Sequence, residues 1–143
     1  MTTRDGSRTR RWISSAMCAW GLALGLLTQA DALTEQRVEV TIKNFTFVTR
    51  QVPLQLNLPV LIVIRNEDQV RHDFGSSVFQ GNPTEVESSG AISYGTGIHG
   101  VFLNPAGDAM IRTTIGRPGR YEFKCSIHQN MKGELLLLTV EAV

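Results

Sequence analysis

From Val38 to Lys43 the chain reads Val-Glu-Val-Thr-Ile-Lys, apolar and polar residues in alternation. A period of two puts every second side chain on one face, so the segment predicts a strand with one face buried and one in water. Phe45-Thr-Phe47 continues into a second strand segment, limited by Pro53, which cannot donate to a ladder. Pro59 to Arg65 (Pro-Val-Leu-Ile-Val-Ile-Arg) is a nearly continuous apolar run and predicts a central strand buried on both faces. Asp108 to Thr114 and Arg120 to Cys125 read as two further strands, divided by the turn residues Gly116-Arg-Pro-Gly119. Gly133 to Val140 closes the chain as a strongly apolar strand. Between Gly75 and Asn104 the composition shifts to Gly, Ser and small polar residues, which predicts loops with one or two short strands and a helical turn. Short strands with turn signals and no long amphipathic helix predict an all-β sandwich of about seven to eight strands.

The first 32 residues follow a different logic. Arg4, Arg8, Arg10 and Arg11 form a basic region, and an apolar stretch runs from about Trp12 to Leu27. Ala30-Asp-Ala32 then supplies an A-x-A cleavage pattern, so residues 1–32 are expected to be a signal peptide and residues 33–143 the mature domain. The apolar core falls short of the ~20 residues that span a bilayer, so no membrane anchor is expected after cleavage. Arg10-Arg11 before Trp12 suits twin-arginine export, but the residues after it fit that signal poorly, which leaves Sec export as at least an equal alternative. Both routes lead out of the cytoplasm, and the expected location is the periplasm.

Removing the signal changes the chemistry. Four arginines and two acids leave, taking the formal net charge from +1 to −1. A near-neutral chain without a basic stripe argues against nucleic acid as a partner. Cys18 leaves as well, so Cys125 stands alone and forms no intrachain disulfide. A lone thiol in an oxidising compartment is a liability unless something occupies it, and a bound metal is the economical occupant.

The segment Tyr121-Glu-Phe-Lys-Cys125-Ser-Ile-His128-Gln-Asn-Met131-Lys-Gly133 supplies candidates for that metal. A thiolate, an imidazole and a thioether sit at i, i+3 and i+6 on one short loop, and all three suit copper that cycles between two oxidation states. His72, in Arg71-His-Asp-Phe74, is the fourth candidate ligand. Zinc would accept a Cys and two His equally well, but Met is a poor zinc ligand. A sandwich offers loops at its ends, and flanking strands pin residues 125–131 on both sides.

From Val38 to Val140 these residues resemble the small blue copper proteins, the cupredoxins. The Cys-x-x-His-x-x-Met loop is similar to that of amicyanin; plastocyanin and pseudoazurin share its first interval. Arg65-Asn-Glu-Asp68 followed by Val70-Arg-His72 also resembles the segment before the family's first copper histidine. The resemblance implies a Greek-key sandwich and one type 1 copper ion. It gives His72, Cys125 and His128 as equatorial ligands, Met131 as the axial one, and one-electron transfer as the function. Two positions depart from the family pattern. Asp73 stands where an Asn normally ties two ligand loops together, and Ile127 stands where amicyanin and plastocyanin have Pro.

His99, in Gly97-Ile-His-Gly100, is the competing histidine and is expected on an exposed loop; a second-metal role or replacement of His72 is the other option. The acids Glu67, Asp68, Glu85 and Glu87 read as solvated surface, with a docking patch as the alternative. No acid, base or nucleophile constellation suggests an enzyme. The expected protein is a monomeric electron carrier that meets a redox donor and a redox acceptor transiently near His128, on an apolar surface of Ile127, Leu103 and Pro105. The second reading is a periplasmic copper carrier or assembly protein that delivers its ion. A domain with structural use alone is the third, and the complete ligand set argues against it.

Overall fold

The computed structural model describes residues 34–51 and 53–138. The expected signal segment, the first mature residue and the last five residues lie outside them. Among the described residues no helix is long and apolar enough to cross a membrane. The architecture is the expected all-β sandwich; the described residues form eleven strands in two sheets and one 3-10 turn at Ser77–Phe79.

Strands β1 (Gln36–Lys43), β2 (Thr46–Arg50), β4 (Pro59–Asn66), β9 (Asp108–Thr114), β6 (Thr84–Ser88) and β7 (Ala91–Gly95) make a six-stranded sheet in the order β2-β1-β4-β9-β6-β7. The second sheet runs β3 (Leu54–Gln55), β11 (Lys132–Leu138), β10 (Gly119–Lys124), β5 (His72–Ser76) and β8 (Gly100–Leu103). Pairing is antiparallel except β1 with β4 and β11 with β3. In β1 the alternation buries Val38, Val40 and Ile42. In β4 the apolar run buries Val60, Leu61, Ile62 and Ile64, and its buried last residue is the polar Asn66.

The two sheets meet over an aromatic core. Phe47 stands edge-on to Phe74 and Phe123, with centroids 5.9 and 5.1 Å away, and Phe74 and Phe123 are 4.8 Å apart. Aromatic rings prefer such offset and edge-to-face contacts. Gly133 pairs with Phe123 across β10 and β11, and its lack of a side chain leaves room for that ring.

The stretch from Gly75 to Asn104 holds more strand than the sequence suggested. It contains β6, β7 and β8 in addition to the end of β5. Thr84 and Thr113 explain part of the difference. Both are buried, and their hydroxyls lie 3.3 Å apart between β6 and β9, so polar residues fill inward positions.

Candidate metal centre

Strand β10 delivers Cys125 directly, and the chain turns back through His128 and Met131 into β11. The flanking pair Lys124–Lys132 closes this hairpin, so residues 125–131 form its loop. Two main-chain bonds fold the loop on itself: the Cys125 amide donates to the Met131 carbonyl at 3.1 Å, and the Met131 amide to the His128 carbonyl at 3.0 Å. His72 opens β5, which pairs with β10 through Phe123–Ser76 and Lys124–Gly75.

These pairings bring the thiol and both imidazoles together. Cys125 Sγ lies 3.6 Å from Nδ1 of His128 and 3.9 Å from Nδ1 of His72. The three donor atoms all lie within 4.8 Å of one another, the one such group among the described residues. His72 and Cys125 are buried and His128 is half-buried. Met131 is also buried, at the far end of the same loop. A thiol with two imidazoles turned toward it by the same nitrogen fits the copper that the fold family implies.

Asp73 ties the two candidate ligand segments together through its main chain and its carboxylate. Its backbone amide points at Cys125 Sγ at 3.5 Å, and its Oδ1 accepts from the Ser126 amide at 2.6 Å. A carboxylate has no amide hydrogens to give, but main-chain donors supply them instead.

The acid predicted as surface turns inward. The Asp68 side chain is 11% exposed, and its Oδ2 lies 2.9 Å from Nε2 of His72. It also accepts from the amides of Asn44 (2.6 Å) and Phe45 (2.9 Å). Burial alone would raise the Asp68 carboxyl. The amides of Phe45 and Asn44, helped by His72, outweigh that and hold it below the ordinary aspartate value. The other acids behave more as expected, Glu67 pairing with Lys43 at 3.3 Å and Glu85 with Arg112 at 3.0 Å.

Sequence reasoning missed Phe45. With Asn44 it forms the two-residue turn between β1 and β2, and both residues have positive φ, 51° and 57°. A turn of this kind usually carries Asn-Gly, and here a bulky residue takes the glycine position. Its ring lies edge-on to His72, 5.5 Å between centroids, and equally edge-on to His128. The one available signal was a large apolar residue at a tight turn, where water-facing residues are the norm.

His99 stays apart. It is exposed, its Nδ1 lies 3.3 Å from Gln80 Nε2, and it does not join the donor group. Leu103 is buried, which removes it from the expected apolar surface, while Phe102 beside it is 55% exposed and lies under the Arg71 guanidinium at 4.5 Å. Ile127 and Pro105 are exposed as expected.

Several solved structures share the fold. Auracyanin A, a blue copper protein from the green thermophilic photosynthetic bacterium Chloroflexus aurantiacus, superposes with a TM-score of 0.51 at 14% identity, over 73% of this chain and 100% of its own. A multicopper oxidase from Pseudomonas thermotolerans gives 0.53 at 14% identity, over 73% of this chain and 29% of its own. One from Pediococcus acidilactici gives 0.54 at 10% identity, over 94% of this chain and 32% of its own. The chain thus spans under a third of the length of these two oxidases. No curated protein sequence matches it. The model of the cupredoxin-like domain matches residues 16–137, most of the chain, and the protein therefore belongs to the cupredoxin family.

Proposed function

We propose that this protein is an exported, periplasmic copper protein that carries single electrons between a redox donor and a redox acceptor. The observation that carries the reading is the trio of Cys125, His72 and His128, whose donor atoms lie within 4.8 Å of one another with both imidazoles presenting Nδ1 to the thiol. Met131, on the same loop, would complete the ligand set as the axial donor. Bound copper would supply a one-electron couple. The chain's own residues supply the rest: β10 and β11 fix Cys125, His128 and Met131, and β5 fixes His72. With three donors on a short loop pinned between β10 and β11 and the fourth at the start of β5, the site needs little rearrangement when its charge changes.

Half-buried His128 is the route by which electrons would pass. Around it Phe45 (52% exposed) and Ile127 (46%) offer apolar surface for a docking partner. A small contact of this kind suits a monomeric carrier that must release its partner at each turnover. Buried His72 and Cys125 favour this reading over delivery of the ion, which needs reachable ligands. Electron transfer without substrate chemistry is the proposed activity.

Copper titration of the mature protein with optical spectra tests the proposal. An intense visible charge-transfer band is expected, lost in Cys125→Ala and His72→Ala and kept in His99→Ala. A colourless copper complex of the wild type would overturn it.

A further inference from the structure

Asp68 joins two parts of the fold that are distant in sequence. One oxygen accepts from the Asn44 amide, and the other accepts from the Phe45 amide while facing His72 Nε2. An ionised carboxylate only accepts, so Nε2 carries the hydrogen of that contact. In the neutral ring Nδ1 is then left with its lone pair, on the side of Cys125 Sγ. A second anchor keeps the acid in place. The buried Asn66 accepts from the Asp68 amide at 3.0 Å and donates to the carbonyls of Val70 (2.8 Å) and Asn104 (2.9 Å). The Asp68 carbonyl in turn accepts from the Ala106 amide at 3.3 Å. The carboxylate is thus held by the loop on its own side, and it holds the β1–β2 turn on the other.

We propose, resting on the copper reading above, that Asp68 is a positioning residue that latches the Asn44-Phe45 turn over the donor group and fixes His72 in the tautomer whose Nδ1 is free for the metal. Two effects follow. A negative charge hydrogen-bonded to the remote nitrogen of a ligand strengthens that ligand and favours the more highly charged oxidation state, which lowers the reduction potential. The latched Phe45 ring, edge-on to both imidazoles, covers the approach to them and slows loss of the ion.

The tautomer is read without copper, by nitrogen-15 correlation spectra of the metal-free full chain. Wild type is expected to show His72 protonated at Nε2, and Asp68→Ala to show both tautomers; an unchanged tautomer in Asp68→Ala would overturn the latch. With copper bound, Asp68→Asn keeps the size and one acceptor oxygen but loses the charge. It is expected to shift the ratio of Cu(II) to Cu(I) affinity about tenfold toward Cu(I), a rise of about 59 mV for a one-electron couple. A potential equal to wild type would overturn the electrostatic role. Copper loss to a chelator is expected to be about tenfold faster in Phe45→Ala, with the His72 tautomer kept; an unchanged rate would overturn the covering role. Should Asp68→Ala fail to fold, the potential of Asp68→Asn decides. A wild type that binds no copper would sink the metal reading alone, and the tautomer would still judge the latch.

Discussion

The ring of Phe45 stands edge-on to that of His128, centroids 5.0 Å apart and planes at 85°. That contact comes from a residue in left-handed backbone conformation, which a side chain with a Cβ adopts at a cost. The turn therefore carries local strain next to the donor group, and the aromatic contact with both imidazoles offsets it.

Phe45→Gly removes both terms at once and reads their balance. Glycine relieves strain on the order of 1–2 kcal/mol, and losing the half-exposed ring costs about as much. Denaturant unfolding of the metal-free variant is expected to lie within about 1 kcal/mol of wild type, by partial cancellation of those terms. A loss above about 2 kcal/mol would show that the ring, not the turn, dominates here.

Gly133→Ala tests the packing under the ligand loop. A Cβ there would lie 2.5 Å from Cζ and 2.6 Å from Cε2 of Phe123, a ring held between Phe47 and Phe74. Overpacking of this kind costs about 1–3 kcal/mol. A fall of about 5 °C or more in Tm is expected by calorimetry. An unchanged Tm would mean the ring has room to turn.

Asp73→Asn replaces one carboxylate oxygen by an amide while keeping an acceptor for the Ser126 amide. Stability is expected to change by no more than about 0.5 kcal/mol. The reduction potential of the copper-loaded protein is expected to rise, because a negative charge beside Cys125 is gone. Voltammetry of the two proteins checks the sign, and a fall would contradict it.

Asp68 sets a pH dependence in the metal-free protein. Its folded value lies below the ordinary one of about 3.9, so the ionised form favours the fold. That contribution is full above the ordinary value and is lost as pH falls through the folded one. Below about pH 4, wild type is expected to lose stability faster than Asp68→Asn, the two curves drawing together. Parallel curves in thermal melts would show that the carboxylate adds nothing.

The strands that could be read from the sequence, β1, β4, β9, β10 and β11, are those whose inner residues are mostly apolar. Strand β5 hid its alternation because two of its three buried residues, His72 and Ser76, are polar. The chain between Gly75 and Asn104 hid β6 for a similar reason, with Thr84 turned inward on Thr113. Within the donor group, Cys125 and His128 were legible because their spacing is local. His72 needed its neighbours and the family pattern. Asp68 and Phe45 were not legible, since the Asp68 carboxylate meets the Asn44 and Phe45 amides 24 and 23 residues away, and the Phe45 ring meets His72 and His128 at separations of 27 and 83 residues. Asp73 is visible in the sequence only as a departure from the family's Asn, and its accepting role appears once Ser126 lies beside it.

The β5–β10 ladder has a consequence for how the chain comes to hold an ion. His72 and Cys125 are 53 residues apart, and two residue pairs, Phe123–Ser76 and Lys124–Gly75, bring their strands together. Loops of that length close late, once enough of both sheets exists to repay the lost entropy. The unfolded chain offers Cys125, His128 and Met131 close together, but the second imidazole, His72, is far from them. Capture of an ion by the full donor set would thus require a closed sandwich, and by mass action would also keep it closed.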